Sequence, residues 1–97
     1  MVVCVCCLRL ALHEVFSLKE KRSIIKKIIE RVRNKFPVSI AEVGDNDEWR
    51  SAKIGFSIVG NDRAYVNSCM DKVIDYIESL YLADIIDQQM EIMSFNQ

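Results

Sequence analysis

One proline, three glycines, one histidine and one tryptophan are all that the 97 residues hold of these types. So little Gly and Pro excludes collagen-like and linker-rich organisation. Three scattered glycines also cannot form a phosphate-cradling loop, which needs several of them ahead of a helix. No apolar run is long enough to span a bilayer. The greasiest stretch, Met1 to Leu12, contains Arg9 and has no basic residue ahead of it, so it reads as a strand rather than a signal peptide. A cytoplasmic chain with reduced thiols is the expectation. The Cys-Val-Cys-Cys run at residues 4–7 lacks C-x-x-C spacing, and Cys69 falls in a helical stretch. No His and Cys pair completes a ligand set, so the cysteines read as small buried apolar side chains, with no metal and no cofactor expected. Glu42, Asp45, Asp47 and Glu48 lack the fixed spacing of a calcium loop and read as a solvated acidic turn.

What is present is an ordinary globular composition, 51% hydrophobic and 28% charged, which excludes intrinsic disorder. The length suits one domain over residues 1–97. The net charge of −1 conceals a gradient. Residues 17–35 carry Lys19, Lys21, Arg22, Lys26, Lys27, Arg31, Arg33 and Lys35 against Glu20 and Glu30, a segment of +6 on a remainder of −7.

Six elements follow from periodicity. Val2 to Leu12 is apolar on both alternating faces, the mark of a central strand. Ser17 and Glu20 form a capping box that opens a helix running to about Lys35, stopped by Pro37. Val38 to Val43 and Lys53 to Val59 read as strands around a turn at residues 44–47. Gly60-Asn61-Asp62 then caps a second helix to about Tyr81, with Ala64 or Tyr65, Val66, Cys69, Met70, Val73, Ile77 and Leu80 on its buried stripe. Asp84 to Phe95 forms a last strand. This order predicts an α+β, ferredoxin-like βαββαβ sandwich: a four-stranded antiparallel sheet of order 4-1-3-2 with both helices on one face. The bare face would then carry Val3, Val5 and Cys7, too apolar for open solvent, which predicts a homodimer.

Catalysis has little to stand on. His13 beside Glu14 could act as base and orienter, but no nucleophile matches them; His13 is expected to hydrogen-bond the loop, and a non-enzymatic role is expected. Strand one lacks the exposed aromatics of RNA-recognition modules, and Phe56 is expected in the core. The basic helix is more informative. At 100° per residue from Leu18, Arg22, Arg33, Lys26 and Lys19 fall within one ridge that can track a phosphate backbone. Lys21 falls near 300°, inside the apolar arc, and must snorkel out or find an acid. Trp49 is expected to pack at the base of the hairpin and help fix Glu42 and Asp47.

Ser17-Leu18-Lys19-Glu20-Lys21-Arg22 resembles the Ser-Leu-Lys-acid-Lys-Arg signature of the YlxP-like family, a bacterial group classed as a domain of unknown function. Residues 38–43 (Val-Ser-Ile-Ala-Glu-Val), then Asp47-x-Trp49, Ala52, Gly55 and Gly60-Asn61-Asp62, follow that family's pattern in order. The resemblance implies a ferredoxin-like fold, a small cytosolic protein and self-association. It also implies a link to translation, since members are commonly encoded beside translation-initiation and ribosome-maturation factors. It brings no catalytic residues.

Two functions are weighed. The first is an accessory protein binding ribosomal RNA or a ribosome precursor through Lys19, Lys21, Arg22, Lys26 and Arg33. The second is a regulatory module binding a small anionic ligand at a dimer interface near Glu42, Asp47 and Trp49.

Overall fold

The structure is a computed structural model that describes residues 1–95; Asn96 and Gln97, at the end of the expected domain, lie outside the described residues. The element order is β1 (Val2–Ala11), α1 (Leu18–Lys35), β2 (Ser39–Gly44), β3 (Ser51–Gly60), α2 (Arg63–Ser79) and β4 (Asp84–Ser94). The strands form one sheet of order β2-β3-β1-β4 with every neighbouring pair antiparallel, the ferredoxin-like arrangement.

Local chemistry explains the helix boundaries. Ser17 accepts the Glu20 backbone N–H at 3.1 Å, and Glu20 Oε2 accepts the Phe16 N–H at 2.7 Å, closing the start of α1. Asp62 likewise accepts the Tyr65 N–H at 3.2 Å and opens α2. The stripe of α2 differs from expectation at its first turn. Ala64 and Tyr65 are both exposed and burial begins at Val66, while Ile74 joins the core. Gly60 is where β3 meets that turn: a Cβ there would stand 2.7 Å from Val66 Cγ2.

The core lies between the helices and one face of the sheet. Cys4, Cys6, Leu8 and Leu10 from β1 meet Ile54, Phe56 and Ile58 from β3, with Ile25, Ile28 and Val32 of α1 and Val66, Met70 and Val73 of α2 above them. The opposite face of β1 is half-buried or exposed at Val3, Val5 and Cys7. Across from these stand Met93, Glu91 and Gln89 of β4 and Val59, Ser57 and Gly55 of β3.

This division has a chemical consequence for the thiols. Burial pushes the Cys4 thiol up, reinforced by Asp71, and pushes Cys6 up to about 11, reinforced by Cys4 and Cys7. At neutral pH, brief alkylation of the folded protein should therefore label Cys7 first, leaving the buried Cys4, Cys6 and Cys69 for the unfolded chain. Because the folded pKa of Cys6 lies above the ordinary 9.0, its contribution to stability is complete below that pH and is lost as pH rises toward about 11. Denaturant midpoints measured across that window should fall. A flat profile, together with uniform labelling of all four thiols, would contradict this placement.

Candidate nucleic-acid interface

The apolar arc of α1 is formed by Lys21, Ile25, Ile28 and Val32, all buried. A lysine among three branched aliphatics is expensive unless its ammonium is met by acceptors. Lys21 is 0% exposed, and it is met. Its Nζ donates to the Asp45 carbonyl and lies 3.3 Å from Glu42 Oε2. The carboxylate contact is ionic rather than an aligned hydrogen bond. Asp45 can present its carbonyl inward because it adopts the left-handed region, at φ 57°, which Asp tolerates better than most residues. Its own carboxylate turns outward, accepting from Ser51 Oγ at 2.8 Å and standing 3.7 Å from Arg9 Nε.

Two sets of residues assigned to competing functions thus meet inside one device. Lys21, named among the nucleic-acid contacts although it lies in the apolar arc, and Glu42, expected in the anion site, are an ion pair that fastens the β2–β3 hairpin to α1. Lys21 is therefore withdrawn from any surface contact, and Glu42 is neutralised within the fold. The expectation for Trp49 is corrected as well. It is 47% exposed, in the turn that continues through residue 50 before β3 begins at Ser51, with Asp47 beside it in the same exposed turn. Glu42 is fixed by Lys21 rather than by the indole.

The four ridge residues, Lys19, Arg22, Lys26 and Arg33, are all exposed. Two contacts, one made by Arg33 and one by Lys35 outside the ridge, show which way the ridge faces. Arg33 Nη2 donates to the Ile40 carbonyl of the edge strand β2 at 3.0 Å. On the other flank of α1, Lys35 Nζ sits 4.5 Å from the Tyr76 ring of α2. The ridge therefore runs along the outer flank of α1, above the β2 edge and away from α2. Its charges are little compensated: the only ion pair they make among the described residues is Lys26 with Glu30, at 4.0 Å and exposed, a contact of small worth.

His13 does not pair with Glu14. Its Nε2 lies 2.6 Å from Asp84 Oδ2, joining the end of β1 to the start of β4. Glu14 itself takes a left-handed backbone, at φ 57°. Sequence reasoning passed over Phe16, which is 67% exposed beside the first turn of α1. The capping box fixes the Phe16 backbone but not the direction of its ring, so no sequence signal marks its exposure.

Among solved structures, a de novo designed protein, Foldit4, superposes with a TM-score of 0.51 at 14% identity, covering 98% of both chains; that likeness shows the fold alone. A REP-associated tyrosine transposase bound to a REP hairpin gives a TM-score of 0.45 at 10% identity, covering 97% of this chain and 57% of that one. Among curated proteins, the uncharacterized protein YlxP of Bacillus subtilis (strain 168) is 38% identical over 68 residues, 70% of this chain and 74% of that protein. The family model described as protein of unknown function (DUF503) matches residues 3–90, and with that span and that relative, the chain belongs to the DUF503, YlxP-like family.

Proposed function

We propose that the protein is a non-enzymatic cytoplasmic accessory factor that binds ribosomal RNA, free or in a ribosome precursor, through the outer flank of α1. The observation that carries this reading is the exposed, little-compensated ridge of Lys19, Arg22, Lys26 and Arg33 on an otherwise acidic chain. Like charges gathered on one flank repel one another unless a polyanion supplies the counter-charge, and the release of condensed counterions then drives binding. The anion-binding alternative has less support. Glu42 is already paired with Lys21, and Asp47 and Glu48 beside Trp49 would repel an anion. Co-sedimentation tests the reading: the protein should travel with small-subunit ribosomal particles at low salt and leave them at high salt. Free protein at every salt concentration would reject it.

The same proposal includes a homodimer formed through the bare sheet face. At the centre of that face are Val5 and Cys7, with Gly55 opposite Cys7. Val3, Val59 and Met93 lie at one end, the last two 59% and 48% exposed. An exposed apolar patch of this kind is characteristic of self-association. Pairing through the β4 edge is less favourable. Residues 84–94 contain three acids and no Lys or Arg, so no antiparallel register of β4 with itself sets opposite charges together. Light scattering should give twice the 11.2 kDa chain mass, and Val5→Glu should return the single-chain mass. A parent protein that stays monomeric over a wide concentration range would refute the dimer.

A further inference from the structure

A groove of about 810 Å³ lies against the first two turns of α1. Phe16 and the half-buried Ile24 give it apolar walls; Lys19 and Ser23 line it from the helix, and Glu14 and Glu20 stand at its loop end. Lys19 belongs both to this groove and to the basic ridge, so the groove continues the ridge at its N-terminal end. The Phe16 ring is 67% exposed, yet its backbone is held by the 2.7 Å bond from its N–H to Glu20. That bond uses one oxygen of the Glu20 carboxylate, which keeps its charge, and leaves a positioned aromatic surface facing solvent.

Resting on the RNA-binding reading above, we infer that this groove receives an unstacked base of single-stranded RNA, with Phe16 as the stacking surface. The phosphates of the same strand would follow Lys19, Arg22, Lys26 and Arg33. From Lys19 to Arg33 the helix rises about 21 Å, enough for several nucleotides of an extended strand. A base can lie on an aromatic ring only when it has left its own stack, so this geometry selects single strands over duplexes. The carboxylate of Glu14 suits the exocyclic amino groups of bases better than phosphates. On the central strands of the sheet Phe56 is buried, and Val3, Val5, Cys7, Gly55 and Ser57 of the bare face present no ring.

The test is equilibrium binding, by fluorescence anisotropy, of a labelled single-stranded RNA without secondary structure and of an RNA duplex of equal length. The parent protein should prefer the single strand. Phe16→Ala should weaken single-strand binding roughly tenfold, leave duplex binding unchanged, and leave the salt slope unchanged because no charge is removed. Phe16→Tyr should retain parent affinity, which separates stacking from any effect on folding. Arg22→Glu with Lys26→Glu should lose both RNAs. If that pair loses binding while Phe16→Ala does not, the groove is overturned and the ridge stands. If the parent binds neither RNA, both readings are overturned.

Discussion

Replacing Lys21 with Ala should lower stability by about 3–5 kcal/mol, because it leaves Glu42 charged and partly buried without its partner. It also removes the donor to the Asp45 carbonyl, which holds the hairpin turn to α1. In a domain of this size, whose total stability is on the order of 5–15 kcal/mol, this is a large fraction. The melting temperature should fall by roughly 15 °C or more. The paired change Lys21→Met with Glu42→Leu should recover much of the loss, since a buried ion pair can often be replaced by apolar side chains of similar volume. Thermal denaturation of the single and double variants measures this directly. A single variant that melts within a few degrees of the parent would mean that the ion pair does not fasten the hairpin.

Lys21 also shows how far the sequence could be read. Its place in the apolar arc follows from helical angle alone, and so does its need for an acid or an escape route. The identity of its partner does not follow. Glu42 is 21 residues away. Alternation puts it on the side of β2 that holds the buried Ile40, but which helix residue it meets depends on how α1 packs over that edge, which no periodicity within either segment encodes. The strands, caps and sheet order were legible because each rests on a local signal: alternation, the Ser17–Glu20 box, Pro37 and the Gly60-Asn61-Asp62 turn. Trp49 was misjudged for the opposite reason. A tryptophan in a short hairpin suggests burial, but the turn extends through residue 50 and carries the ring outward. His13 is expected to hydrogen-bond its own loop, whereas its partner Asp84 is 71 positions away and is brought close by the β1–β4 pairing.

The basic helix holds its cations in two different settings. Lys21 and Arg33 both contact β2 or its hairpin, yet only Lys21 is buried; Arg33 keeps an exposed guanidinium while one of its donors holds the Ile40 carbonyl. Charge reversal at Arg22 and Lys26 should therefore abolish RNA binding and barely move the melting temperature. Neither side chain makes a buried contact, and the single pair Lys26 makes with Glu30 is exposed. This contrast, function lost with the fold intact, is the reverse of what Lys21→Ala should show. Loss of stability in the double reversal would mean that the ridge serves packing instead.

The salt dependence of RNA binding tests the central claim most directly. Four ridge cations following a single strand predict a log–log slope of about −3, and each single Ala substitution at Lys19, Arg22, Lys26 or Arg33 should reduce its magnitude by about 0.7. Those substitutions should weaken all RNA sequences alike, because phosphate contacts carry no base information. A slope near zero, or an Arg22→Glu, Lys26→Glu protein that binds RNA as well as the parent does, would contradict the account.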